Sequence, residues 1–153
     1  MKARDLMTPD PTTCKPSDDL RSVLRIMKSE DCGIVPIAEG NGDGRVVGVV
    51  TDRDAALYLG ANDSRPSEVR ISDVMTKTLV SVEPDADLKE VSREMQEAQV
   101  RRVLVIEDGR LLGVIATADL ARASAHSGRD QMGEEVEKVM EKVSEDTGSR
   151  PRA

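Results

Sequence analysis

Apolar residues near the beginning of the chain follow the spacing of an amphipathic helix. They stand at positions i, i+3, i+4 and i+7 of one segment: Leu20, Val23, Leu24 and Met27. A short strand is predicted before them at residues 12–14, and a proline ends it. Ser17 then lies where a helix N-cap is expected, because its hydroxyl can accept a bond from a free backbone N–H group. The first pattern is therefore a strand followed by a helix.

Two short apolar runs follow this helix. They cover residues 34–38 and 45–50, and a glycine-rich segment separates them. Runs of this length on either side of a turn predict a β-hairpin. A second helix is expected to begin at Thr51, so the whole segment predicts the order β-α-β-β-α.

The same pattern occurs a second time along the chain. An offset of 68 positions places Met7 on Met75, and after the hairpin the offset falls to 65, from Gly48 to Gly113. The difference lies in the turn, where insertions are best tolerated. The counterparts in the second copy are a strand at 80–82, an N-cap at Asp85, a helix face of Leu88, Val91 and Met95, and a second helix start at Ala116. The chain is therefore a duplicated module.

The two copies predict an α/β fold of the α+β type. Each copy is too small to bury much apolar area alone, so we expect two β-α-β-β-α motifs that pack sheet to sheet about a pseudo-twofold axis. The predicted boundaries are residues 1–60 for the first motif, 61–70 for a linker, 71–123 for the second motif, 124–146 for a C-terminal extension and 147–153 for a disordered tail.

The C-terminal extension carries a further amphipathic pattern. Its apolar residues recur at helical spacing: Met132, Val136, Val139, Met140 and Val143. This spacing predicts a helix of about four turns. The helix could cover a groove of its own chain, pack in a dimer or engage another protein, and packing within the protein or its dimer is the favoured interpretation.

Composition and charge narrow the class of protein. The 22 Lys and Arg residues are outnumbered by 29 Asp and Glu, and the chain has one Tyr and neither Trp nor Phe. A nucleic-acid polymer is therefore a poor partner, because its readers are typically basic and offer aromatic stacking surfaces. No apolar run approaches the roughly 20 residues of a membrane span. The first residues lack the pattern of a secretion signal, so a cytoplasmic protein is expected.

The few residues suited to catalysis or metal binding are scattered. Cys14 and Cys32 do not form a CxxC motif, and His126 is the one histidine of the chain. No activated nucleophile or paired acid and base is visible, so no enzyme activity, catalytic residue or metal site is predicted. The two cysteines lie at neighbouring positions of the repeat, which makes a disulfide conceivable. Buried free thiols are the favoured interpretation.

Together these features resemble a tandem pair of CBS domains, also called a Bateman module. Four features carry the resemblance in each copy: the Met-Thr pair, the proline before the first helix, the apolar hairpin and an ending with Gly and Asp at the spacing Gly-x-x-[Ser/Thr]-x-x-Asp. The resemblance covers roughly residues 1–122 and is greatest to stand-alone bacterial CBS-pair proteins, the group that includes the hypoxic response proteins. It implies a regulatory module that binds adenine nucleotides in a cleft between the copies and is not an enzyme.

The first copy matches the ribose-binding pattern of that family in full. The Asp54 carboxylate has two acceptor oxygens for the two hydroxyls of a ribose, and an arginine fork suits a phosphate. Adjacent strand positions face opposite ways, so Arg101 is preferred to Arg102. The residues implied are Thr51, Arg53, Asp54, Thr78, Val80, Val100, Arg101 and Arg102. The alternative is that Thr51 and Asp54 only cap a helix and that the arginines are a solvated pair.

The second copy departs from the pattern, because Ala116 stands where the first copy has a hydroxyl. Its implied site comprises Thr12, Cys32, Gly33, Thr117 and Asp119. Asp10 is expected to repel a phosphate there. We therefore expect one good site and one degraded site, which is empty or takes another ligand.

The expected function is that of a regulatory sensor. No cofactor is required, and the candidate ligands are AMP, ADP and ATP, ahead of NAD and S-adenosylmethionine. Binding would shift a conformational or oligomeric equilibrium, which requires different affinities for two states. A homodimer and an unidentified protein partner are expected. The alternative is a ligand-free stress-response interaction or scaffold protein with degenerate pockets.

Overall fold

The computed structural model describes residues 1–40, 44–126 and 132–144. The chain forms two compact units. The first-repeat unit is Pro11–Leu79, and the second-repeat unit combines Met1–Asp10 with Val80–Ala153. The first ten residues therefore belong to the unit of the second repeat.

The second repeat follows the predicted order β-α-β-β-α, and the first repeat follows it from its first long helix onward. In chain order the elements are α1 (Ala3–Leu6), β1 (Thr8–Pro9), α2 (Leu20–Glu30), β2 (Ile34–Glu39), β3 (Arg45–Thr51), α3 (Asp52–Asn62), β4 (Ser81–Val82), α4 (Leu88–Ala98), β5 (Arg102–Glu107), β6 (Arg110–Ala116), α5 (Thr117–His126) and α6 (Met132–Ser144). Two short 3-10 helices, Pro66–Glu68 and Ile71–Asp73, lie between α3 and β4. The α/β fold class is confirmed, and the sheet-to-sheet packing of the two motifs stays a prediction.

The hairpins are the best-matched elements of the two repeats. Strand β2 pairs antiparallel with β3, and β5 pairs antiparallel with β6. The register shifts once in each hairpin, between Ile37 and Ala38 and at the equivalent Val105 and Ile106. Shared irregularities of this kind are typical of duplicated modules, because a bulge fixes the local twist of a hairpin.

The first helix of each repeat begins two residues later than predicted. Asp19, and not Ser17, caps α2, and its carboxylate accepts a bond from the Ser22 backbone at 2.9 Å. The Asp18 carboxylate accepts a bond from the Lys15 backbone at 2.8 Å, which holds the residues after the proline in a turn and delays the helix. In the second repeat Asp87, and not Asp85, is the cap.

Each unit has its own apolar core. Buried residues of the first-repeat unit include Leu20, Val23, Val35, Ile37, Val50 and Ile71. Those of the second-repeat unit include Ala3, Leu6, Val91, Met95, Val103, Ile115 and Leu120. The segment predicted as a linker contributes Val69 to the first core, and its carbonyl accepts the Leu20 N–H at 2.8 Å.

The Met-Thr segment of each repeat packs in the unit of the other repeat. In the second-repeat unit, β1 pairs antiparallel with β6, with Thr8 opposite Val114. In the first-repeat unit, Thr76 exchanges two backbone hydrogen bonds with Val49, at 2.9 and 3.0 Å. The sequence repeat did not predict this exchange. The predicted strand at residues 12–14 is reduced to a single bridge between Cys14 and Ile37.

The predicted C-terminal helix is present as α6. It packs on α4 and α5 of the second-repeat unit, and its buried residues Val136, Val139 and Val143 join that core. The predicted disordered tail, residues 147–153, lies outside the described residues. Across the described ranges, no helix has the length and apolar content that crossing a membrane requires.

Candidate ligand-binding site

Thr51 and Asp54 form a reciprocal cap at the start of α3. The Thr51 hydroxyl accepts a bond from the Asp54 backbone N–H at 3.1 Å, and Asp54 Oδ2 accepts one from the Thr51 N–H at 2.9 Å. Both side chains are half-buried. Such a box satisfies two backbone donors that a helix start leaves free. The side chain of Asp54 is therefore held in one orientation by its own helix.

The capping bonds use only part of the Asp54 carboxylate. Within the described part of the chain, the Asp54 carboxylate accepts its hydrogen bond through Oδ2. Its Oδ1 is therefore available to a donor from outside the protein. Arg53, on the same turn, is exposed. The first turn of α3 thus offers a fixed acceptor beside a cation.

The equivalent carboxylate of the second repeat is engaged on both oxygens. Asp119 Oδ2 accepts the Ala116 backbone N–H at 2.7 Å, as Asp54 does for Thr51. Asp119 Oδ1 accepts a hydrogen bond from the Arg122 guanidinium, one turn further along α5. Leu57 occupies the position of Arg122 in the first repeat. The two aspartates therefore have the same role as caps but differ in the oxygen left for a ligand.

The arginine pair lies at the start of β5. Arg101 is exposed, and its carbonyl accepts the Thr117 N–H at 3.0 Å, whereas Arg102 is half-buried within the strand. The backbone bond fixes the position of Arg101 and leaves its guanidinium in solvent. The preference for Arg101 over Arg102 stays a prediction.

The apolar residues of the predicted site are partly built into the second-repeat unit. Val80 and Val100 are half-buried and pack against its core. The Val80 carbonyl accepts the Leu104 N–H at 3.0 Å, which holds the chain just before β4. Thr78 belongs to the first-repeat unit, where its side chain is exposed.

The residues predicted for the degraded site make contacts within their own units. The Thr12 hydroxyl donates to the Glu30 carboxylate. Gly33 is buried, and its carbonyl accepts the Asp52 N–H at 3.2 Å. Cys32 is half-buried in the first-repeat unit, while Asp10, Thr117 and Asp119 lie in the second-repeat unit. The Asp10 backbone has a positive φ of 48°.

The two cysteines are free thiols in this structure. Cys14 lies opposite Ile37 in a parallel bridge, whereas Cys32 precedes the other end of β2. Cys14 is a buried free thiol and Cys32 a half-buried one, and their proximity stays a prediction. Burial, with the nearby Asp18 and Asp19 carboxylates, raises the pKa of the Cys14 thiol to about 11.

Sequence reasoning missed the contribution of Arg122. An arginine three residues after an aspartate on one helix is a recognised ion-pair spacing, and Arg122 stands at this distance from Asp119. Alignment of the repeats at the 65-residue offset would have shown that the first copy lacks it.

The two repeats, each with a carboxylate fixed at the start of its second long helix, define a tandem α/β module. The family model for the CBS domain matches residues 3–61 and 71–126. The chain belongs to the CBS-domain family, whose members are generally regulatory. Some longer relatives are named as enzymes, and the chain covers 26% and 32% of two of these.

Stand-alone pairs are among the similar proteins. The chain is 37% identical over 120 residues to the uncharacterized protein YlbB of Bacillus subtilis, covering 78% of this chain and 80% of the relative. It is 32% identical over 120 residues to hypoxic response protein 1 of Mycobacterium tuberculosis, covering 78% and 82%.

Solved structures show the same fold. A crystal structure of hypoxic response protein I with two coordinated zinc ions matches with a TM-score of 0.70 at 32% identity, over 80% of this chain and 98% of that chain. The CBS domain pair of protein MJ0100, solved with 5'-methylthioadenosine and S-adenosyl-L-methionine, matches with a TM-score of 0.73 at 20% identity, over 84% and 98%. The resemblance to CBS-pair proteins is confirmed.

Proposed function

We propose that this protein is a regulatory CBS pair that binds an adenine nucleotide or related adenosyl ligand, and that it is not an enzyme. Thr51 and Asp54 would hold the ribose, and Arg101, with Arg53 and Arg102, would hold phosphate. Thr78, Val80 and Val100 would contact the base. A pair of the same fold, that of protein MJ0100, was solved with two adenosyl compounds, which supports this ligand class.

The observation that carries the proposal is the difference between the two aspartates. Asp54 is fixed by its capping bond through Oδ2 and keeps Oδ1 for a hydroxyl donor. Asp119 is fixed in the same way, but Arg122 takes its second oxygen. A preorganised acceptor binds a ligand with little loss of side-chain entropy, so the available Oδ1 of Asp54 supports a binding site in the first repeat.

The signal would be a shift between two states of the protein. A ligand shifts such an equilibrium only by its difference in affinity for the two states. The states proposed are two conformations or two oligomeric forms, with a homodimer as one of them. An unidentified protein partner would read the change.

Calorimetric titration of the full chain with AMP, ADP, ATP, NAD and S-adenosylmethionine tests the proposal. We expect at least one to bind, and Asp54→Ala to weaken that binding at least about tenfold, because a hydrogen bond to a charged acceptor is lost. Asp119→Ala is the matched variant, since it removes the same cap in the other repeat, and it should change the affinity little.

The loss of a cap must be separated from the loss of a ligand contact. Asp54→Asn keeps a side-chain oxygen for the Thr51 N–H but removes the charge, so its melting temperature should stay close to that of the wild type while binding weakens. Equal losses of binding in the Asp54 and Asp119 variants would contradict the asymmetric site.

A ligand-free interaction protein is the second candidate function. The reciprocal cap favours it, because helix capping alone accounts for Thr51 and Asp54. Failure of all five compounds to bind at millimolar concentration would support this function and contradict the sensor.

No zinc site is proposed, because the residues that the structure describes hold no cluster of three or more His, Cys, Asp or Glu.

A further inference from the structure

Helix α6 covers α4 and α5 and lies beyond the part of the chain that the family model matches. That match ends at residue 126, whereas α6 is Met132–Ser144. In the second-repeat unit α6 packs on α4 and α5, and its buried side chains are Val136, Val139 and Val143. The positions between these valines are exposed. Among the described side chains of α6, a narrow strip of valines therefore makes the apolar contact.

Helix α4 contains a buried hydroxyl group. Ser92 is fully buried, and across the described ranges its Oγ is the one buried side-chain oxygen or nitrogen without a hydrogen-bond partner. A buried hydroxyl without a partner destabilises the state that buries it, because it loses the hydrogen bond that water would supply. The packing around Ser92 is therefore less favourable than an apolar contact of the same size.

Comparison with the first repeat indicates what buries Ser92. Its equivalent at the 68-residue offset is Leu24 of α2, which is a larger side chain but is only half-buried. The described helices that follow α3 in the first-repeat unit are the two short 3-10 helices, whereas in the second-repeat unit α6 packs on α4. We therefore attribute the additional burial of Ser92, and the loss of its hydrogen bond, to the docking of α6.

Helix α6 has little stability of its own. It has 13 residues, and its three buried valines are poorer helix formers than Ala, Leu or Glu. Isolated helices shorter than roughly 12–15 residues are marginal in water, because the first turn is costly to form. Helix α6 therefore stays folded while it is docked, and its release from α4 and α5 is also its unfolding.

We propose that α6 is a releasable strap, which opens while the rest of the second-repeat unit stays folded and which controls the exposure of the α4 and α5 surface. The docked state buries three valines but leaves the Ser92 hydroxyl without a partner. The released state returns this hydroxyl to water and uncovers the apolar surface. Ser92 thus shifts the balance towards release. The inference goes beyond the proposed function and holds with or without a bound ligand.

Hydrogen exchange of the full chain, measured by mass spectrometry without added ligand, tests the strap. Amides of α6 should be protected, but at least about tenfold less than those of β5 and β6, because local opening exposes α6 alone. Equal protection in α6, β5 and β6 would overturn the proposal, since α6 would then open only with the whole unit. Complete lack of protection in α6 would overturn it as well, because the docked state would not be populated.

Ser92→Ala distinguishes the strap from ordinary fraying of a helix. It removes the unpaired hydroxyl from the docked state, so the amides of α6 should exchange at least about fivefold more slowly, with a smaller change in β5 and β6. Ser29→Ala is the matched variant in α2, where the exposed hydroxyl donates to the Ile26 carbonyl at 3.3 Å, and it should leave α6 unchanged. Exchange of α6 that Ser92→Ala does not slow would overturn the proposal.

Two neighbouring residues of α6 test the apolar side of the contact. Val139 is buried, whereas Met140 is 47% exposed. Val139→Ala should speed the exchange of α6 at least about fivefold, and Met140→Ala should change it little. Retained protection of β5 and β6 shows that the unit is folded in both variants. If Val139→Ala speeds exchange in β5 and β6 as much as in α6, the helix is a fixed part of the core and the strap is wrong. The ligand titration tests the sensor separately, so either proposal can fail without the other.

Discussion

A carboxylate at the start of a helix can serve the fold and a ligand at the same time. Asp54 and Asp119 both cap a helix with one oxygen, and only the environment of the other oxygen differs. The sequence predicts the two aspartates, because they follow a recognisable repeat. It did not predict Arg122 as the residue that separates them, since this contact depends on side-chain direction across one helical turn.

The first prediction at the residue scale concerns the cap of α2. Hydrogen bonds from the Ser22 backbone and hydroxyl lower the pKa of Asp19 below its usual value near 3.8. Its lowered folded-state pKa means that the charged cap stabilises the protein above that usual value and that this contribution is lost as pH falls through the folded-state pKa. Asp19→Ala should therefore lower the urea midpoint at pH 7, and the difference from the wild type should shrink in acid.

Ser17→Ala is the control for the cap. Ser17 is the residue that the sequence predicts as the cap, but in the structure it is exposed and lies within the turn that Lys15 and Asp18 close. Its replacement should leave the urea midpoint unchanged. A loss equal to that of Asp19→Ala, or a loss for Asp19→Ala that persists fully in acid, would contradict the assignment.

At the scale of elements, local sequence patterns were sufficient to predict the helices and hairpins. They did not predict the pairing of strands that are distant in sequence. Helix α2 and the hairpin of β2 and β3 follow from spacing within about 20 residues. The pairing of β1 with β6 joins residues more than 100 positions apart, so no local periodicity indicates it. The same limit explains why a strand was predicted at residues 12–14, where only Cys14 forms a bridge.

The Met-Thr segments explain a glycine in the last strand of each repeat. A Cβ atom on Gly113 would lie 2.7 Å from Met7 Cγ and 2.8 Å from the Thr8 carbonyl oxygen. On Gly48 it would lie 3.0 Å from both Met75 Sδ and the Thr76 carbonyl oxygen. Gly113→Ala should therefore lower the free energy of unfolding by about 1–3 kcal/mol, and Gly48→Ala by less.

Gly60 provides the control for this prediction. It lies inside α3, and a Cβ atom there would meet nothing within 4 Å. Gly60→Ala should stabilise the protein by about 0.5–1 kcal/mol, because alanine favours a helix. Urea unfolding of the three variants gives the comparison. A Gly113→Ala protein as stable as the wild type would show that the Met-Thr segment does not press on β6.

At the scale of the whole molecule, the boundary between the two repeats in the sequence does not coincide with the boundary between the two compact units. The repeat divides the sequence near residue 70, and the compact units exchange the Met-Thr segments with which each repeat begins. Sequence similarity detects which segments are related, but it does not record which unit a segment packs in. The first-repeat unit is continuous in sequence, whereas the second-repeat unit is completed by the first ten residues.

This exchange predicts that a substitution in one repeat loosens the unit of the other. Leu6 is buried in the core of the second-repeat unit, and its equivalent at the 68-residue offset, Val74, packs against the core of the first-repeat unit. Leu6→Ala removes buried apolar contacts and should lower the free energy of unfolding by about 2–4 kcal/mol. Hydrogen exchange should then become faster in β5 and β6 while β2 and β3 keep their protection.

Val74→Ala should have the opposite pattern, with faster exchange in β2 and β3, because local opening follows the contacts of each unit. If each variant instead loosened the hairpin of its own repeat, the units would follow the sequence and the exchange of segments would be wrong.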